Sequence, residues 1–450
     1  MKLPRTIEVL AHRVKSLGGA AFLVGGGSID ILQQNEPKDW DIEVFGLEWE
    51  ELIKAAEEFG TADLIGNKFG ILKLKTLDGL DIELGIPRRD SKIGVGHKGF
   101  FVTTDKGMCI VNAARRRDFT INAIYIDLIS GEVIDPYHGV LDLCHGLVRH
   151  VDNNTFMDDP LRVFRAFQIV ARKGQAITSG TIDLIRDNIE CLKELSGDAI
   201  FGELSKLLML SKTPSVGLRP MLNIIELFPE LKALVGCKQK EKYHPEGDTW
   251  THTMMVVDEA AKWRHEIPEE WRLAFMFGML LHDVGKPLAL DSETLKTIDH
   301  DRMGEAPARS FMLRLTNNED LINKVCSIVK AHMRPRLMLK SSPNKGSWQR
   351  LQNICPLNIA AYVSMCDGDG RGCEGLPLGK SDPVFIKVMD VFNGLGKPKG
   401  KIKPILQGRH LIETGMQPGP SFGAILKRAY EHQINTGCEN IQELLNVASK

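Results

Sequence analysis

The first 150 residues alternate short apolar runs with segments whose apolar positions recur every three or four residues. Short apolar or alternating runs predict strands, and the longer spacing predicts amphipathic helices. Two segments predict helices, TIEVLAHRVKSL and EWEELIKAAEEFG, the second ending at Gly60. The predicted strands are AAFLV, WDIEVF, GILKLKTL, LDIELGI, KGFFVTT and TINAIYIDL. This part of the chain therefore predicts an α/β fold.

From about residue 155 onward the pattern becomes helical, and almost no run is typical of a strand. The predicted helical segments include PLRVFRAFQIVARKG, GTIDLIRDNIECLKEL, AIFGELSKLLMLS and GLRPMLNIIELFPELKAL. The segment LGKPKGKIKPIL at 395–406 has four lysines among glycines and prolines, and it predicts a linker or a basic loop. The coarse prediction is an α/β head followed by a long helical remainder.

Composition narrows the class of protein. The chain has 450 residues, enough for two or three domains, and its 43% hydrophobic and 26% charged residues are typical of a globular protein. The formal net charge is −1, so any surface that binds nucleic acid must be local.

Cysteine spacing and the first residues indicate the compartment. The nine cysteines include no Cys-x-x-Cys pair, which argues against a zinc ribbon and favours reduced thiols. The segment MKLPRTIEVLAHRVK has charges where a signal peptide needs an apolar core. The longest apolar run, LAFMFGMLL at 273–281, is too short to span a bilayer. We therefore expect a cytoplasmic protein with no membrane partner.

The candidate chemistry of the head begins in AFLVGGGSIDILQQNEPKDWDIEVFG, where a glycine run precedes Asp39 and Asp41. Residues two apart on a strand point to one face, and two bare carboxylates there repel each other unless a cation joins them. Mg²⁺ prefers such oxygen ligands together with substrate phosphates, and Glu83 on another predicted strand could add a third carboxylate. The glycines at 25–27 let backbone N–H groups approach a phosphate. This layout suits metal-assisted nucleotidyl transfer, although either motif alone is more often a solvated strand edge or a flexible turn.

Three blocks of sequence carry a family resemblance: LVGGGSID…KDWDIEV, then RRRDFTINAIYID with DPYHGVLDL, then DDPLRVFRAFQ. In order and spacing they resemble the class II tRNA nucleotidyltransferases, which are the CCA-adding enzymes and their relatives, the bacterial poly(A) polymerases. The resemblance implies a polymerase-beta-like α/β nucleotidyltransferase head, followed by an all-α neck and an HD-type helical body and tail. It also implies untemplated transfer of CMP and AMP from CTP and ATP to the 3′ end of tRNA.

The same resemblance implies roles for individual residues. The implied magnesium ligands are Asp39 and Asp41, with Glu83 where the family often has a third acid. The implied nucleotide contacts are Gly25 and Gly26 at the triphosphate, Arg117 on the incoming nucleotide, Asp159 and Arg162 on the base edge, and Arg165 on the phosphates. From the residues alone, the arginines could also form ion pairs on helix surfaces, and DDPLRVFR could be a capped helix. Both interpretations can hold together.

Three positions depart from the family pattern, and each lacks an arginine expected near the triphosphate or its supporting helix. They are Ile29 after the glycines, Gln168 three residues beyond Arg165, and Ala199 in GDAIFGEL. A charge-assisted contact is worth about 1.5–3 kcal/mol, so losing two would weaken nucleotide binding roughly a hundredfold unless other cations replace them. The candidate replacements are Arg88, Arg89, Arg115 and Lys98.

A second set of candidate metal ligands lies in the helical part: His252, His282, Asp283 and Asp369. Imidazole and carboxylate together suit a first-row divalent ion, although a single histidine is more often a packed or surface residue. The order H…HD…D, with the motif LLHDVGK, resembles the HD phosphohydrolase superfamily. That resemblance implies a divalent transition metal such as Ni, Mn or Co and phosphohydrolase activity on RNA ends. His300 and His332 are further candidate ligands, and a surface position for them is equally compatible with the sequence.

The sequence thus predicts four parts: a nucleotidyltransferase head (1–150), a base-recognising helical neck (151–235), an HD body (236–390) and a tRNA-binding tail (391–450). In the tail, GRHLIETGMQPGPSFGAILKRAYEHQ and the lysines at 397–403 could bind the tRNA elbow or belong to a plain packing element. The expected partners are the tRNA 3′ end, CTP and ATP, and the expected state is a monomer or homodimer. Two alternatives stay open: a poly(A) polymerase, which would lack the HD domain, and an RNA-binding HD phosphoesterase with an impaired transferase site.

Overall fold

The computed structural model of the protein describes residues 3–37, 39–65, 70–92, 100–174, 176–372, 379–397 and 400–449, with the backbone alone at 65, 89–92, 100–103 and 449. The described chain forms two compact units. The first comprises Met1–Leu207 and Val216–Ile224, and the second comprises Leu208–Ser215 and Ile225–Lys450. Each unit contains one of the two sets of candidate site residues.

A seven-stranded mixed sheet lies at the centre of the first unit. The strands of this unit are β1 (Ala20–Leu23), β2 (Trp40–Phe45), β3 (Gly60–Ile65), β4 (Ile71–Thr76), β5 (Asp81–Gly85), β6 (Arg88–Lys92), β7 (Phe100–Thr104), β8 (Tyr125–Asp127), β9 (Val133–Ile134), β10 (Leu147–Val148) and β11 (Ala176–Ile177). The order in the sheet is β3-β4-β5-β2-β1-β8-β9, in which β2 and β5 are parallel and the other neighbours are antiparallel. Strands β6 and β7 form a separate hairpin, and β10 pairs with β11.

Helices surround this sheet and continue beyond it. They are α1 (Arg5–Ser16), α2 (Gly25–Leu32), α3 (Trp49–Glu57), α4 (Ile110–Arg115), α5 (Gly139–Cys144), α6 (Asn153–Phe156), α7 (Leu161–Arg172), α8 (Ser179–Asp187), α9 (Gly197–Leu210) and α10 (Ser215–Leu218). Strand alternation explains the core, since Leu72 and Leu74 of β4 are buried while Lys73 between them is exposed. These leucines pack in one cluster with Ile7 and Val14 of α1, and each fully buried side chain contributes about 1.5–3 kcal/mol.

The second unit is helical. Its helices are α11 (Pro229–Lys232), α12 (Thr249–Trp263), α13 (Glu269–Leu281), α14 (Lys286–Ala289), α15 (His300–Met303), α16 (Glu305–Leu315), α17 (Glu319–Ala331), α18 (Arg334–Leu339), α19 (Lys345–Ile354), α20 (Leu357–Asp369), α21 (Pro383–Gly394), α22 (Gly408–Glu413), α23 (Ser421–Thr436) and α24 (Ile441–Ser449). A two-residue hairpin, β12 (Leu290–Asp291) with β13 (Lys296–Thr297), interrupts them. The apolar run of α13 is buried against its neighbours α12 and α17. Within the described residues, no helix combines the length and apolarity needed to cross a membrane.

The predicted α/β head and helical remainder are confirmed. Strand β2 matches the predicted WDIEVF, whereas the sequence analysis missed β3 and β6. Strand β3 contains glycine and aspartate, which weaken a strand pattern, and it forms because β4 pairs with it along its whole length. Within the predicted helix GLRPMLNIIELFPELKAL, Arg219–Leu227 is a 3₁₀ helix with non-helical backbone at Ile224. The predicted boundaries at 150, 235 and 390 stay predictions.

Candidate active sites

Carboxylates from neighbouring strands meet in the first unit. Asp41 of β2 stands opposite Glu83 of the parallel strand β5, and Asp39 lies just before β2 begins. Burial raises the pKa of Asp41, and the charges of Glu83 and Asp39 raise it further against the opposing effect of Arg117. A shared cation would stabilise acids that disfavour each other's charge, so this donor set fits Mg²⁺.

The glycine run lies directly against these acids. Gly25 has a φ of +64°, and a Cβ at this residue would lie 3.1 Å from Asp41 Oδ2. A side chain there would be strained and crowded, while Gly26 faces open space. Both glycines lie in the first turn of α2, where N–H groups have no acceptor within the helix. The turn and Asp41 therefore present donors and a carboxylate to the same space.

Asp39 has a different environment from Asp41. Its side chain is exposed and β2 begins one residue later at Trp40, so the prediction that both acids lie on the strand is wrong for Asp39. Its backbone carbonyl lies 3.0 Å from the position that a Cβ on Gly27 would take. The segment is thus packed against the glycine turn, and the Asp39 charge still raises the pKa of Asp41.

A cleft of about 1380 Å³ collects the other predicted residues. Eight predicted site residues of the head and neck line it: Gly25, Gly26, Asp41, Glu83, Arg117, Asp159, Arg162 and Arg165. Asp39 is not among the lining residues in the described part of the chain. The cleft combines acids that suit a metal with cations that suit phosphates.

The three positions that lack the family's arginines do not line this cleft. Ile29 is 2% exposed and belongs to the core, and Gln168 of α7 is 3% exposed. Ala199 lies in α9. Among the described residues, none of the three contributes to the cleft wall, so these side chains place no charge in it.

Two of the candidate replacement cations do line the cleft, namely Arg88 and Arg115. Arg115 also forms an ion pair with Asp152 at 2.9 Å. Lys98 lies outside the described residues, and Arg89 is described by its backbone alone.

Sequence analysis missed several buried acids in this region, and the first of them is Glu43 of β2. Its carboxylate accepts hydrogen bonds from Arg116 Nη2 and Arg117 Nη2, both at 2.9 Å, and from the Tyr125 hydroxyl at 2.8 Å. Burial alone would raise the pKa of Glu43, but the two guanidinium groups outweigh it and lower the pKa to about 2. The signal was present in D-W-D-I-E, where every second residue from Asp39 is acidic.

Glu43 couples the stability of the first unit to pH. The folded-state pKa of about 2 lies below the ordinary 4.5, so the unfolded chain takes up a proton first as the pH falls. The stabilisation is present above pH 4.5 and is lost toward pH 2, and the shift corresponds to about 3 kcal/mol. We expect Glu43→Gln to lower the urea midpoint at neutral pH, with the gap from wild type closing at acid pH. A gap independent of pH, followed by circular dichroism, would contradict this expectation.

Helix α7 brings Arg165 to the cleft, where it pairs with the buried Asp118 and lies near the half-buried Asp159. Arg165 Nη1 donates to Asp118 Oδ2 at 2.9 Å, and its Nη2 lies 3.9 Å from Asp159 Oδ2. Burial alone would raise the pKa of Asp118, but the charge of Arg165 outweighs it and lowers the pKa. Arg165 is therefore a fixed cation of the cleft.

Asp159 and Arg162 both form hydrogen bonds with backbone groups near the start of α7. The Asp159 carboxylate accepts a hydrogen bond from Leu161 N at 3.1 Å, as in a capped helix. Arg162 donates to the carbonyls of Thr155 at 2.9 Å and Arg116 at 2.7 Å. A guanidinium has five N–H groups, so these two bonds leave others for a ligand in the cleft.

The second unit contains a buried cluster of histidines and aspartates. Ligand atoms of His252, His282 and Asp367 lie within 4.8 Å of one another, and so do those of Asp283, His300 and His332. The two groups adjoin, since His282 Nε2 lies 3.1 Å from Asp283 Oδ2. His300 and His332 are buried, so the surface position that the sequence allowed is wrong for both.

The acid that completes the first group is Asp367, and the structure does not bring Asp369 to it. Asp367 is 3% exposed and lies 3.1 Å from His252 Nε2. Asp369 instead accepts a hydrogen bond from Gly379 N at 2.9 Å. Two residues along a helix turn a side chain by about 200°, so these two aspartates of α20 face opposite directions.

Three of the histidine rings are held in the same orientation. The Nδ1 atoms of His282, His300 and His332 lie 2.7, 2.6 and 2.6 Å from the carbonyls of Met279, Thr297 and Val329. A carbonyl only accepts, so the Nδ1–H of each ring donates to its carbonyl and Nε2 is the ring atom that faces the cluster. His282 Nε2 is buried without a hydrogen bond of good geometry in the described structure. This arrangement is typical of metal-binding histidines.

Cations balance the acids of this cluster. Lys286 Nζ lies 2.6 Å from Asp283 Oδ2, and Arg371 Nη2 lies 3.2 Å from Asp367 Oδ2. Burial alone would raise the pKa of each aspartate, but His282 and Lys286 lower the pKa of Asp283, and Arg371 lowers that of Asp367. Both carboxylates are thus ionised, and together with the imidazoles they fit a divalent transition metal.

A sheet with acids beside a glycine turn, and a separate helical unit with a buried His/Asp cluster, define a nucleotidyltransferase that carries an HD domain. Residues 21–149 match the Poly A polymerase head domain, and residues 249–367 match the HD domain. Both catalytic domains are of metal-dependent types.

Full-length relatives identify the family. The chain is 30% identical over 431 residues to the Multifunctional CCA protein of Acinetobacter baylyi, covering 92% of this chain and 99% of the relative. It is 31% identical over 371 residues to the protein of that name from Actinobacillus pleuropneumoniae, covering 79% and 86%. The chain belongs to the bacterial class II CCA-adding enzymes.

Solved structures share the fold. A Thermotoga maritima CCA-adding enzyme complexed with tRNA is similar with a TM-score of 0.58 at 21% identity, over 98% of this chain and 94% of that one. The Bacillus stearothermophilus CCA-adding enzyme in complex with CTP gives 0.61 at 21% identity, over 97% and 94%.

Proposed function

We propose that this protein adds CMP and AMP to the 3′ end of tRNA from CTP and ATP, without a nucleic-acid template. In each step the tRNA 3′-hydroxyl oxygen bonds to the α-phosphorus of the nucleotide, and pyrophosphate leaves. The observation that carries the proposal is the position of Asp41, opposite Glu83 and 3.1 Å from the Cβ position of Gly25. Acids beside a phosphate-sized turn suit an in-line displacement.

The proposed roles follow from the side chains of the cleft. Asp39, Asp41 and Glu83 would hold Mg²⁺, which when bound lowers the pKa of the attacking hydroxyl and offsets charge on the triphosphate. The N–H groups of Gly25 and Gly26 would donate to phosphate oxygens.

Two further parts of the cleft would bind the nucleotide. Arg117 and Arg165 would hold its phosphates as fixed cations. Asp159 and Arg162 would recognise the base, because a carboxylate beside a guanidinium offers both acceptors and donors to a base edge. Since both side chains are anchored to backbone groups, their orientation is set before the nucleotide enters.

A second activity is proposed for the helical unit. The ligands would be His252, His282, Asp283, Asp367, His300 and His332, and the ion would be nickel, manganese or cobalt. Such an ion, when bound, supplies an activated water for hydrolysis of phosphoesters. Lys286 and Arg371 would attract the phosphate group of an RNA end.

The two aspartates of α20 give a sharp test of this ligand set. We expect Asp367→Asn to lower metal-dependent hydrolysis of a 2′,3′-cyclic phosphate roughly a hundredfold or more, because a charged ligand is lost. Asp369→Asn is the matched control and should leave the rate within about twofold, since its carboxylate accepts a hydrogen bond from Gly379 and belongs to no metal-ligand cluster of the described residues. Equal losses in both variants, measured with bound metal, would contradict the assignment.

We also propose the four-part organisation that the sequence predicts. It comprises a head at 1–150, a base-recognising neck at 151–235, an HD body at 236–390 and a tail at 391–450 that contacts tRNA. Lys401 and Lys403 are exposed in that tail. A cytoplasmic location and a monomeric or homodimeric state suit an enzyme acting on tRNA.

One assay tests the function. The protein is incubated with tRNA lacking its terminal CCA and with labelled CTP and ATP. Ordered C-C-A addition supports the proposal, whereas A-tailing alone would indicate a poly(A) polymerase. No incorporation, with HD hydrolysis intact, would indicate an impaired transferase site.

A further inference from the structure

We propose that Glu43 is a positioning residue for nucleotidyl transfer, because it fixes Arg117 as the cation that the phosphates of the incoming nucleotide contact. The inference rests on the proposed function and extends it, since it names a residue that acts on CTP and ATP through another side chain. Neither the family match nor the sequence motif assigns this role to Glu43.

The contacts of Arg117 show which of its donors are used. Its Nη2 donates to Glu43 Oε2 at 2.9 Å, and its guanidinium lies 5.6 Å from the centre of the Tyr125 ring. Its Nη1 lies 3.9 Å from the position that a Cβ on Gly25 would take. One terminal nitrogen of the guanidinium is therefore held by Glu43 of the sheet, and the other terminal nitrogen faces the glycine turn.

Arg117 also has a donor without a protein acceptor. Its Nε is buried and makes no hydrogen bond to the described residues, although the side chain lines the cleft. A buried donor that stays unpaired costs about 1–3 kcal/mol. A phosphate oxygen is an acceptor that a nucleotide would bring to this cleft, and a charged partner would make the bond stronger.

Glu43 and Asp41 share one face of β2 but have different partners. Residues two apart on a strand point to the same side, so Arg117 lies within reach of both charges. The position that a Cβ on Gly25 would take lies 3.1 Å from Asp41 Oδ2 and 3.9 Å from Arg117 Nη1, so the two groups approach the same point of the cleft. Without the Glu43 carboxylate, Arg117 would pair with Asp41 and compete with Mg²⁺ for it. By pairing with Arg117, Glu43 thus leaves Arg117 oriented toward the nucleotide and leaves the Asp41 carboxylate available to bind the metal.

The test is a steady-state measurement with Glu43→Gln, using tRNA that lacks CCA and varied CTP. We expect the KM for CTP to rise about tenfold or more and kcat to change less than about threefold, because the cation is needed from the moment of binding. The Mg²⁺ concentration for half-maximal rate should rise as well. In the background of Arg117→Gln, Glu43→Gln should add no further increase in KM, since it acts through that arginine.

Asp142→Asn is the matched control. Asp142 is also a buried acid of the first unit, bonded to Arg149 and to the Thr120 hydroxyl, but it does not line the cleft. This variant should lose comparable thermal stability and keep the wild-type KM. If Glu43→Gln fails to fold, Tyr125→Phe removes one donor to Glu43 and should raise the KM about two- to fivefold, again only when Arg117 is present.

The outcomes separate this inference from the proposed function. Wild-type protein that incorporates no nucleotide overturns the function itself. If the wild type is active, two results would overturn the role of Glu43 alone. The first is a KM of Glu43→Gln within about twofold of the wild-type KM, and the second is an equal impairment of Asp142→Asn. Independent, multiplying effects of Glu43→Gln and Arg117→Gln would also overturn it.

Discussion

We expect the replacement of Asp41 by asparagine to lower the rate of CMP and AMP incorporation roughly a thousandfold, which corresponds to about 4 kcal/mol of transition-state stabilisation. Asp41 is the acid that both stands opposite Glu83 and faces the glycine turn. Asparagine keeps the volume and one oxygen but not the charge, so the metal loses its central ligand. Hydrolysis of phosphoesters by the HD cluster should be unaffected, because that cluster lies in the second unit.

Rates of incorporation into tRNA lacking CCA, under single-turnover conditions, check this prediction. Asp183→Asn is a suitable control, since Asp183 is an exposed acid of the same unit that pairs only at the surface with Arg186. It should keep the wild-type rate. An Asp41→Asn enzyme that retains more than about a tenth of the activity would show that the acids of β2 do not hold the catalytic metal.

The corresponding variant of the second unit, Asp283→Asn, should lower the hydrolytic activity by a similar factor, roughly a thousandfold. Asp283 is close to both groups of histidines: its carboxylate lies 3.1 Å from His282 Nε2 and 3.4 Å from His300 Nε2. Its loss therefore removes charge from both halves of the cluster.

Metal content and hydrolysis of a 2′,3′-cyclic phosphate, measured with added nickel, manganese or cobalt, check the effect of Asp283→Asn. Incorporation of CMP and AMP should stay at the wild-type rate in the same preparation. Loss of incorporation together with hydrolysis would instead indicate unfolding, which thermal denaturation distinguishes. Retained metal binding in a folded variant would contradict the proposed ligand set.

Local pattern was sufficient for much of the fold. Strand β2 and helices α1 and α3 were predictable because alternation or helical spacing coincides there with burial of one face. Strand β3 was not, since its sequence is weakly strand-like and its pairing with β4 decides its conformation. The sheet order, which places β5 next to β2, depends on long-range packing that periodicity does not encode.

In the candidate sites, too, some contacts were predictable from local sequence and others depended on the tertiary fold. Asp41, Glu83 and the glycine turn were predictable from spacing, and the structure brings them together. The partners of Arg117 were not, because ion pairs between β2 and the segment after α4 need the tertiary fold. The choice between Asp367 and Asp369 could not be made from local pattern either, because α20 is buried on all sides from Ile359 to Asp367 and has no single buried face.

The structure also shows where the three positions that lack the family's arginines lie. Ile29 packs in the core, and Gln168 is buried in α7, so neither position supplies charge to the cleft of this protein. The cleft has Arg88 and Arg115 as candidate replacements, and it keeps Arg117 and Arg165, each held by a buried acid. Preorganised cations of this kind suit phosphate binding, because little reorganisation is needed when the nucleotide arrives.

A diffraction experiment on crystals soaked with Mn²⁺ and a non-transferable CTP analogue addresses magnesium capture at the strand edge most directly. Anomalous density is expected within bonding distance of an Asp41 oxygen, with analogue phosphates against the amides of the glycine turn. Manganese found only among the histidines of the second unit, with no peak near Asp41, would contradict the proposal that Asp41 holds the catalytic metal.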